Sequence, residues 1–152
     1  DAKTPQGETV GVGFSLAFAN HPLLRNAVAF ACQHHHPPEN FYFPEYQTHA
    51  NSAFAIGKVI VGHWAADAVA EFYDGINAGG VVEALHSEEL IEKYGLDDPL
   101  FPSDGFAGFE LIVDDIGKIH DAAMSYGAVE KNGYLILPPS AFFGTMVVIK
   151  PK

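Results

Sequence analysis

The chain has 152 residues, enough for one domain with its own core or for two small modules sharing one. Its 48% hydrophobic and 18% charged residues exclude disorder over most of the length. Eight Lys+Arg against 19 Asp+Glu give a formal net charge of -11, which offers no basic face to a nucleic-acid backbone or an anionic membrane surface. The single cysteine, Cys32, cannot form an internal disulfide, and its place in an apolar run reads as a buried, inert thiol. No apolar run approaches ~20 residues, and no basic-then-apolar signal segment opens the chain, so a cytoplasmic protein is expected by default. The absence of an initiator Met fits a mature, trimmed or excised piece.

Residues 1–9 are polar, with Pro5 and Gly7, and read as a lead-in. Val12, Phe14, Leu16 and Phe18 alternate with small or polar residues, which is the period of a strand. Asn20-His21-Pro22 breaks that run, and Ala27 to Cys32 is a second run of strand length, so an antiparallel pair is expected. Pro37, Pro38 and Pro44 bracket Phe41, Tyr42 and Phe43 and forbid a central strand or helix there, leaving a structured aromatic loop. Phe54 to Val61 reads as a strand. Ala65 to Tyr73 reads as a helix stopped at Gly75, with Trp64 and Phe72 as core residues. After a Gly79-Gly80 turn come a strand at Val81 to Leu85 and a helix at Ser87 to Tyr94. That helix has Ser87 as its N-cap, Glu88 and Glu89 at its positive end, and Gly95 as its stop. A Pro-containing linker runs from Asp97 to Gly105. Phe109 to Val113 is a strand, and Ile116 to Tyr126 a helix, capped by Asp114 or Asp115 and stopped by Gly127. Strands at Ala128 to Glu130, Tyr134 to Leu137 and Thr145 to Ile149 close the chain, with a Lys131-Asn132-Gly133 turn between the first two.

An internal repeat is visible. Val59-Ile60-Val61, a helix and Gly75 recur 52 residues later as Leu111-Ile112-Val113, a helix and Gly127, with Ala70 falling on Ala122. That period is too long for most solenoid units and suits a duplicated α+β module.

A strand, a helix and three strands, repeated at about fifty residues, resembles the vicinal-oxygen-chelate (glyoxalase/bleomycin resistance/dioxygenase) superfamily. Val61-Gly62-His63, followed by a helix ending Phe72-Tyr73, looks like the opening "V-x-D, then a helix ending F-Y" of such modules, with His63 where Asp is common. Val113-Asp114-Asp115 keeps the Asp, and Gly133 to Pro139 with Phe143-Gly144-Thr145 resembles a module's end. Cys32-Gln33-His34-His35-His36-Pro37-Pro38-Glu39-Asn40-Phe41-Tyr42 and Gln47-Thr48-His49-Ala50-Asn51-Ser52-Ala53 are similar to the "C-Q-x-H-x-P-E-x-F-W" and "Q-x-H-x-N-G-A" of a glyoxalase-like group. Here there is a change near Pro37, Tyr42 for Trp and Ser52 for Gly. The resemblance implies an α+β fold of tandem βαβββ modules with a preceding strand pair. Residues 10–51 would be the back half of an earlier module, 52–100 a first βαβββ-like module and 101–152 a second.

The chemistry-bearing residues cluster early. His34, His35, His36 and His49 are imidazoles that could meet a metal, with Glu39 or Glu45 as carboxylate partners. On a strand His34 and His36 face one side and His35 the other, so only part of the triplet can join His49. In the superfamily the metal ligands, commonly His and Glu, sit on the first and last strands of a module. Here those strands offer Ala55, Ile56 and Gly57, Ala107, Gly108 and Phe109, and no Glu in Met146 to Ile149, which argues against a metal; if one binds, His35 and His49 would hold it. Gln33, His35, Gln47 and Asn51 could orient a polar ligand by hydrogen bonds, walled by Tyr42, and His49 could serve as a general base. The alternative is a Pro-braced loop whose polar side chains satisfy the backbone. His63, His86 and His120, at helix boundaries or within a helix, read as surface residues.

The resemblance implies two functions. One is a divergent lyase, isomerase or dioxygenase acting on a small oxygenated compound. The other is a non-catalytic, resistance-type small-molecule binder or dimerisation domain of a larger glyoxalase-like protein. Open module edges imply a homodimer or pairing with a missing N-terminal segment.

Overall fold

The computed structural model describes residues 1–25, 28–76, 80–95 and 104–152. Ala27 at the head of the second apolar run, Gly79 of the expected turn and Asp97 to residue 103 of the expected linker lie outside them. In the lead-in, β1 (Ala2–Lys3) and β2 (Thr9–Val10) form a short antiparallel pair. The two alternating runs form β3 (Phe14–Ala19) and β4 (Ala29–His34), an antiparallel ribbon in which Phe14 opposes His34 and Phe18 opposes Phe30. The ribbon is a separate two-stranded sheet. Beyond it, prolines set two single 3-10 turns, Pro38–Asn40 and Pro44–Tyr46. Each has Pro at its start, where the missing N–H costs nothing.

The remaining elements build one sheet. They are β5 (Ala53–His63), helix α1 (Ala66–Gly75), β6 (Val82–Leu85), helix α2 (Ser87–Tyr94), β7 (Asp104–Val113), helix α3 (Gly117–Ser125), β8 (Val129–Lys131), β9 (Tyr134–Leu137) and β10 (Met146–Pro151). The six strands run in the order β6-β5-β7-β10-β9-β8. β5 pairs parallel with β6 and antiparallel with β7; β7 pairs parallel with β10, which is antiparallel to β9. At the β8–β9 turn Asn132 and Gly133 both take positive φ, 54° and 80°, as the Asn-Gly pair predicts for a two-residue hairpin. The architecture is therefore mixed α+β.

Alternation along the strands sorts the core. Val113, Leu135, Val147 and Ile149 pack with Ala123 of α3, and Val61 packs with Val69 and Tyr73 of α1, so α1 and α3 cover one face. Ile60, Ile136, Met146 and Val148 point the other way, against Leu90 and Tyr94 of α2. Gly108 lets β7 and β10 approach, since a Cβ there would collide with the Met146 carbonyl oxygen.

The repeat takes physical form around the central β5–β7 pair. Each half is a strand, a helix on the same face and a later strand parallel to the first: β5-α1-β6 and β7-α3-β10. In the second half the β8–β9 hairpin intervenes, giving strand, helix and three strands; in the first, β6 is the one strand among the described residues between α1 and α2. Among the described residues no helix is long and apolar enough to cross a membrane.

Several side chains differ from expectation. Trp64 is 68% exposed rather than core, because it follows the buried His63 at the outer end of β5. His63 is fully buried, not a surface residue. Its Nδ1 accepts the Ala65 amide at 2.9 Å, and its Nε2 lies 2.8 Å from the Leu23 carbonyl oxygen and 3.2 Å from Asp104. It thereby fastens the ribbon's loop to the sheet. Cys32 is exposed, since nothing among the described residues covers the ribbon face that carries it. The N-cap of α2 is His86, not Ser87, and the Glu89 carboxylate accepts its amide at 2.7 Å.

Candidate functional site

The face of the sheet that carries α2 is only partly filled by it. Beside the helix lies a cavity of about 260 Å3. Ile136, Val148, Tyr94 and Tyr134 give it an apolar floor, and Lys58, Lys93, Lys131 and Lys150 reach its walls. Half of the chain's eight cationic side chains thus surround one cavity in a protein of net charge -11.

Two carboxylates organise these lysines. Glu110, on the middle of β7, is 7% exposed. Its Oε1 lies 3.1 Å from Lys150 Nζ, and its Oε2 accepts the Lys58 backbone amide at 3.2 Å. That amide is free to turn inward because β5 changes register against β7 between Ile56 and Val59. Gly57 leaves room for the carboxylate, as a Cβ there would stand 2.8 Å from Oε2. Glu83, on β6, receives Lys93 at 2.6 Å and Lys58 at 3.8 Å, and Tyr94 donates to it at a long 3.3 Å. Burial alone would raise the Glu83 pKa; the hydrogen bond and charge of Lys93, with Lys58 and the Tyr94 hydroxyl, outweigh it and hold the carboxyl below its usual range. Burial, together with the charges of Glu83 and Glu110, pushes the Tyr94 phenol up, so it stays protonated as a donor. Lys131 Nζ donates to the Glu92 carbonyl at the end of α2.

The two carboxylates are related by the repeat. The 52-residue offset carries Lys58 onto Glu110 and Ile60 onto Ile112. Ile60 pairs with Glu83, and Ile112 with Lys150. Lys58–Glu83 and Glu110–Lys150 are therefore equivalent ion pairs with their charges exchanged. These are the first and last parallel strands of each half, where the superfamily resemblance would set metal ligands. The residues present do not fit a divalent metal: each carboxylate is matched by an ammonium, and no imidazole accompanies it.

No protein-family model, curated protein or solved structure matches the chain. The chemistry of the site therefore rests on its own geometry.

The residues singled out from sequence lie elsewhere. The histidine triplet divides three ways. His34 stacks on Phe41 with ring centroids 4.1 Å apart, His35 Nε2 meets the Ser15 hydroxyl at 2.9 Å, and His36 sits against Gly11 and Gly13. Gln33 is exposed on the ribbon opposite Ser15, and Tyr42 is exposed near His34. Gln47 and His49 share a shallow cavity of about 270 Å3 with Thr48, Phe54, Asp114 and Lys118. Asn51 accepts the Ala53 amide at 3.1 Å. Ser52 ties this segment to the start of α3 by donating to the Asp115 carbonyl at 2.8 Å and accepting its amide at 3.1 Å. Gln47 and His49 are thus brought together, while Gln33, His35 and Tyr42 line neither cavity with them. Among the described residues no three His, Cys, Asp or Glu side chains converge as a metal site. Sequence reasoning missed the lysine cavity. The available signal was the opposed charge of Lys58 and Glu110 at equivalent repeat positions.

Proposed function

We propose that the chain is a glyoxalase-like module that binds a small molecule without transforming it, with the ligand seated between the sheet and α2. The observation that carries this reading is the cavity itself. It is concave, has an apolar floor and convergent polar groups, and sits on the sheet face opposite α1 and α3. The strand order of residues 104–151, with a helix after the first strand and the first and last strands parallel, supports the βαβββ reading of that half. Binding is favoured over catalysis because Glu110, which lines the cavity, is already engaged by Lys150, and among the described residues no nucleophile–base pair faces it. A second copy of the chain is the proposed macromolecular partner, supported by the uncovered apolar face of the β3–β4 ribbon.

A thermal-shift screen of neutral and charged metabolites tests the site. Compounds that raise Tm for the full chain should lose that effect in Val148→Phe, which fills the cavity floor. They should also lose it in Tyr134→Ala, which removes part of the floor without overpacking, and retain it in His49→Ala. Loss in His49→Ala with retention in both cavity variants would move the site to the Gln47–His49 segment and restore the catalytic reading. A screen with no stabilising compound would remove the small-molecule reading.

A further inference from the structure

Resting on that reading, we infer that the ligand is a short dicarboxylate, held by the four lysine ammonium groups over the apolar floor. Charge decides its sign. Lys58, Lys93, Lys131 and Lys150 converge on the cavity; among the described residues Glu110 is the carboxylate that lines it, and Glu83, outside the lining, is the other one that pairs with these lysines. Two positive charges are left unmatched in a wall whose other members are neutral. Like charges gathered at one place repel and lower stability, so a chain with a net charge of -11 has no general electrostatic reason to assemble half its cations there. A bound dianion completes the balance.

Shape and floor decide its class. About 260 Å3 lies below the roughly 300–1,000 Å3 of pockets for drug-sized ligands, which limits the occupant to a handful of carbon atoms. Ile136, Val148, Tyr94 and Tyr134 suit a carbon skeleton better than a bare, fully hydrated phosphate. The cations are also spread around the rim. Lys58 and Lys93 share Glu83 on β6, Lys150 stands over the Tyr134 ring at 5.1 Å beside Glu110, and Lys131 reaches the C-terminal end of α2. Two carboxylates on a short chain can meet two such groups at once. Lys131 is the most available of the four: its amine bonds a backbone carbonyl, and no carboxylate among the described residues lies within ion-pair distance of it.

Titration calorimetry of the full chain at low ionic strength tests the inference with malonate, succinate, inorganic phosphate and succinamide as probes. Malonate or succinate should bind one per chain, and succinamide should not. Lys131→Gln should weaken binding tenfold or more. Lys150→Gln should do the same, with Lys131→Gln as the safer variant because it strands no buried carboxylate. Lys118→Gln, outside the cavity, should leave binding unchanged. Equal weakening in Lys118→Gln would show diffuse charge attraction and overturn the site. Phosphate binding as tight as malonate would overturn the carbon-skeleton assignment. No saturable binding of either dicarboxylate, while neutral compounds still stabilise the chain in a Val148→Phe-sensitive way, would overturn the anion inference and leave the small-molecule reading standing; failure of both would remove the two together.

Discussion

Glu83 concentrates the electrostatics of the site in one side chain. It binds Lys93 at 2.6 Å and Lys58 at 3.8 Å, and its carboxyl is held below the usual range. A carboxylate with a depressed folded-state pKa adds stability that is complete above its unfolded pKa and is lost as pH falls through the folded one. Glu83→Gln should therefore be less stable than the wild type at pH 7, by about 1–2 kcal/mol for a charge-assisted hydrogen bond in a half-open setting. The gap should close in acid, once Glu83 itself is protonated. Urea denaturation at pH 7, 5 and 3 checks this, and a gap that persists at pH 3 would show a packing loss instead. The residue scale is also where the sequence is least legible. His63, Trp64 and Cys32 each differ in exposure from what their local pattern implies, because a neighbour outside their own element decides it. The Leu23 carbonyl covers His63, and nothing among the described residues covers the ribbon face of Cys32. The lysines of the cavity are separated by up to 92 positions in the chain, and each alone resembles an ordinary solvated cation.

Elements are more legible because local periodicity and stop residues act within them. β5, α1, α2, α3 and β9 fall where alternation, helical spacing and glycine stops predict, within a few residues at each end. The exceptions are the β1–β2 pair, in a segment that reads only as a lead-in, and β7. β7 begins at Asp104 rather than Phe109, and its added length includes the closely packed Gly108. Glu110 lies within the expected strand, but its alternation there gives no sign of a chemical role. α2 carries the clearest functional consequence. Eight residues are too few for a stable isolated helix. Burial of Leu90 and Tyr94, the Glu89–His86 hydrogen bond and Gly95 at φ 70° hold it across the sheet. A Cβ at Gly95 would also stand 3.1 Å from Lys131 Cδ. Glu89→Ala and Gly95→Ala should each cost about 1 kcal/mol through the loss of one helix-end device. Amide exchange should rise first in residues 88–94 while β9 and β10 stay protected. Uniform acceleration through the sheet would show instead that α2 is a structural keystone with no independent opening.

At the scale of the molecule the β3–β4 ribbon makes a demand that the rest of the described residues do not meet. A two-stranded sheet is marginal by itself, yet Phe14, Phe18 and Phe30 on one face are each more than half exposed. A contiguous apolar face of this kind suits an interface, and β6 and β8 are the edge strands of the main sheet among the described residues. If a second copy covers the ribbon, two chains of net charge -11 must approach each other, so salt should strengthen the dimer by screening that repulsion. Dicarboxylate binding at the lysine cavity should respond in the opposite direction, because there the screened interaction is attractive. Sedimentation equilibrium across a salt series should thus give a dimer that tightens as salt rises, and Phe18→Glu with Phe30→Glu should yield a monomer. A wild-type chain that stays monomeric at every salt concentration would leave the ribbon without a second copy as its cover, and the dimer proposal would fall while the cavity reading stood.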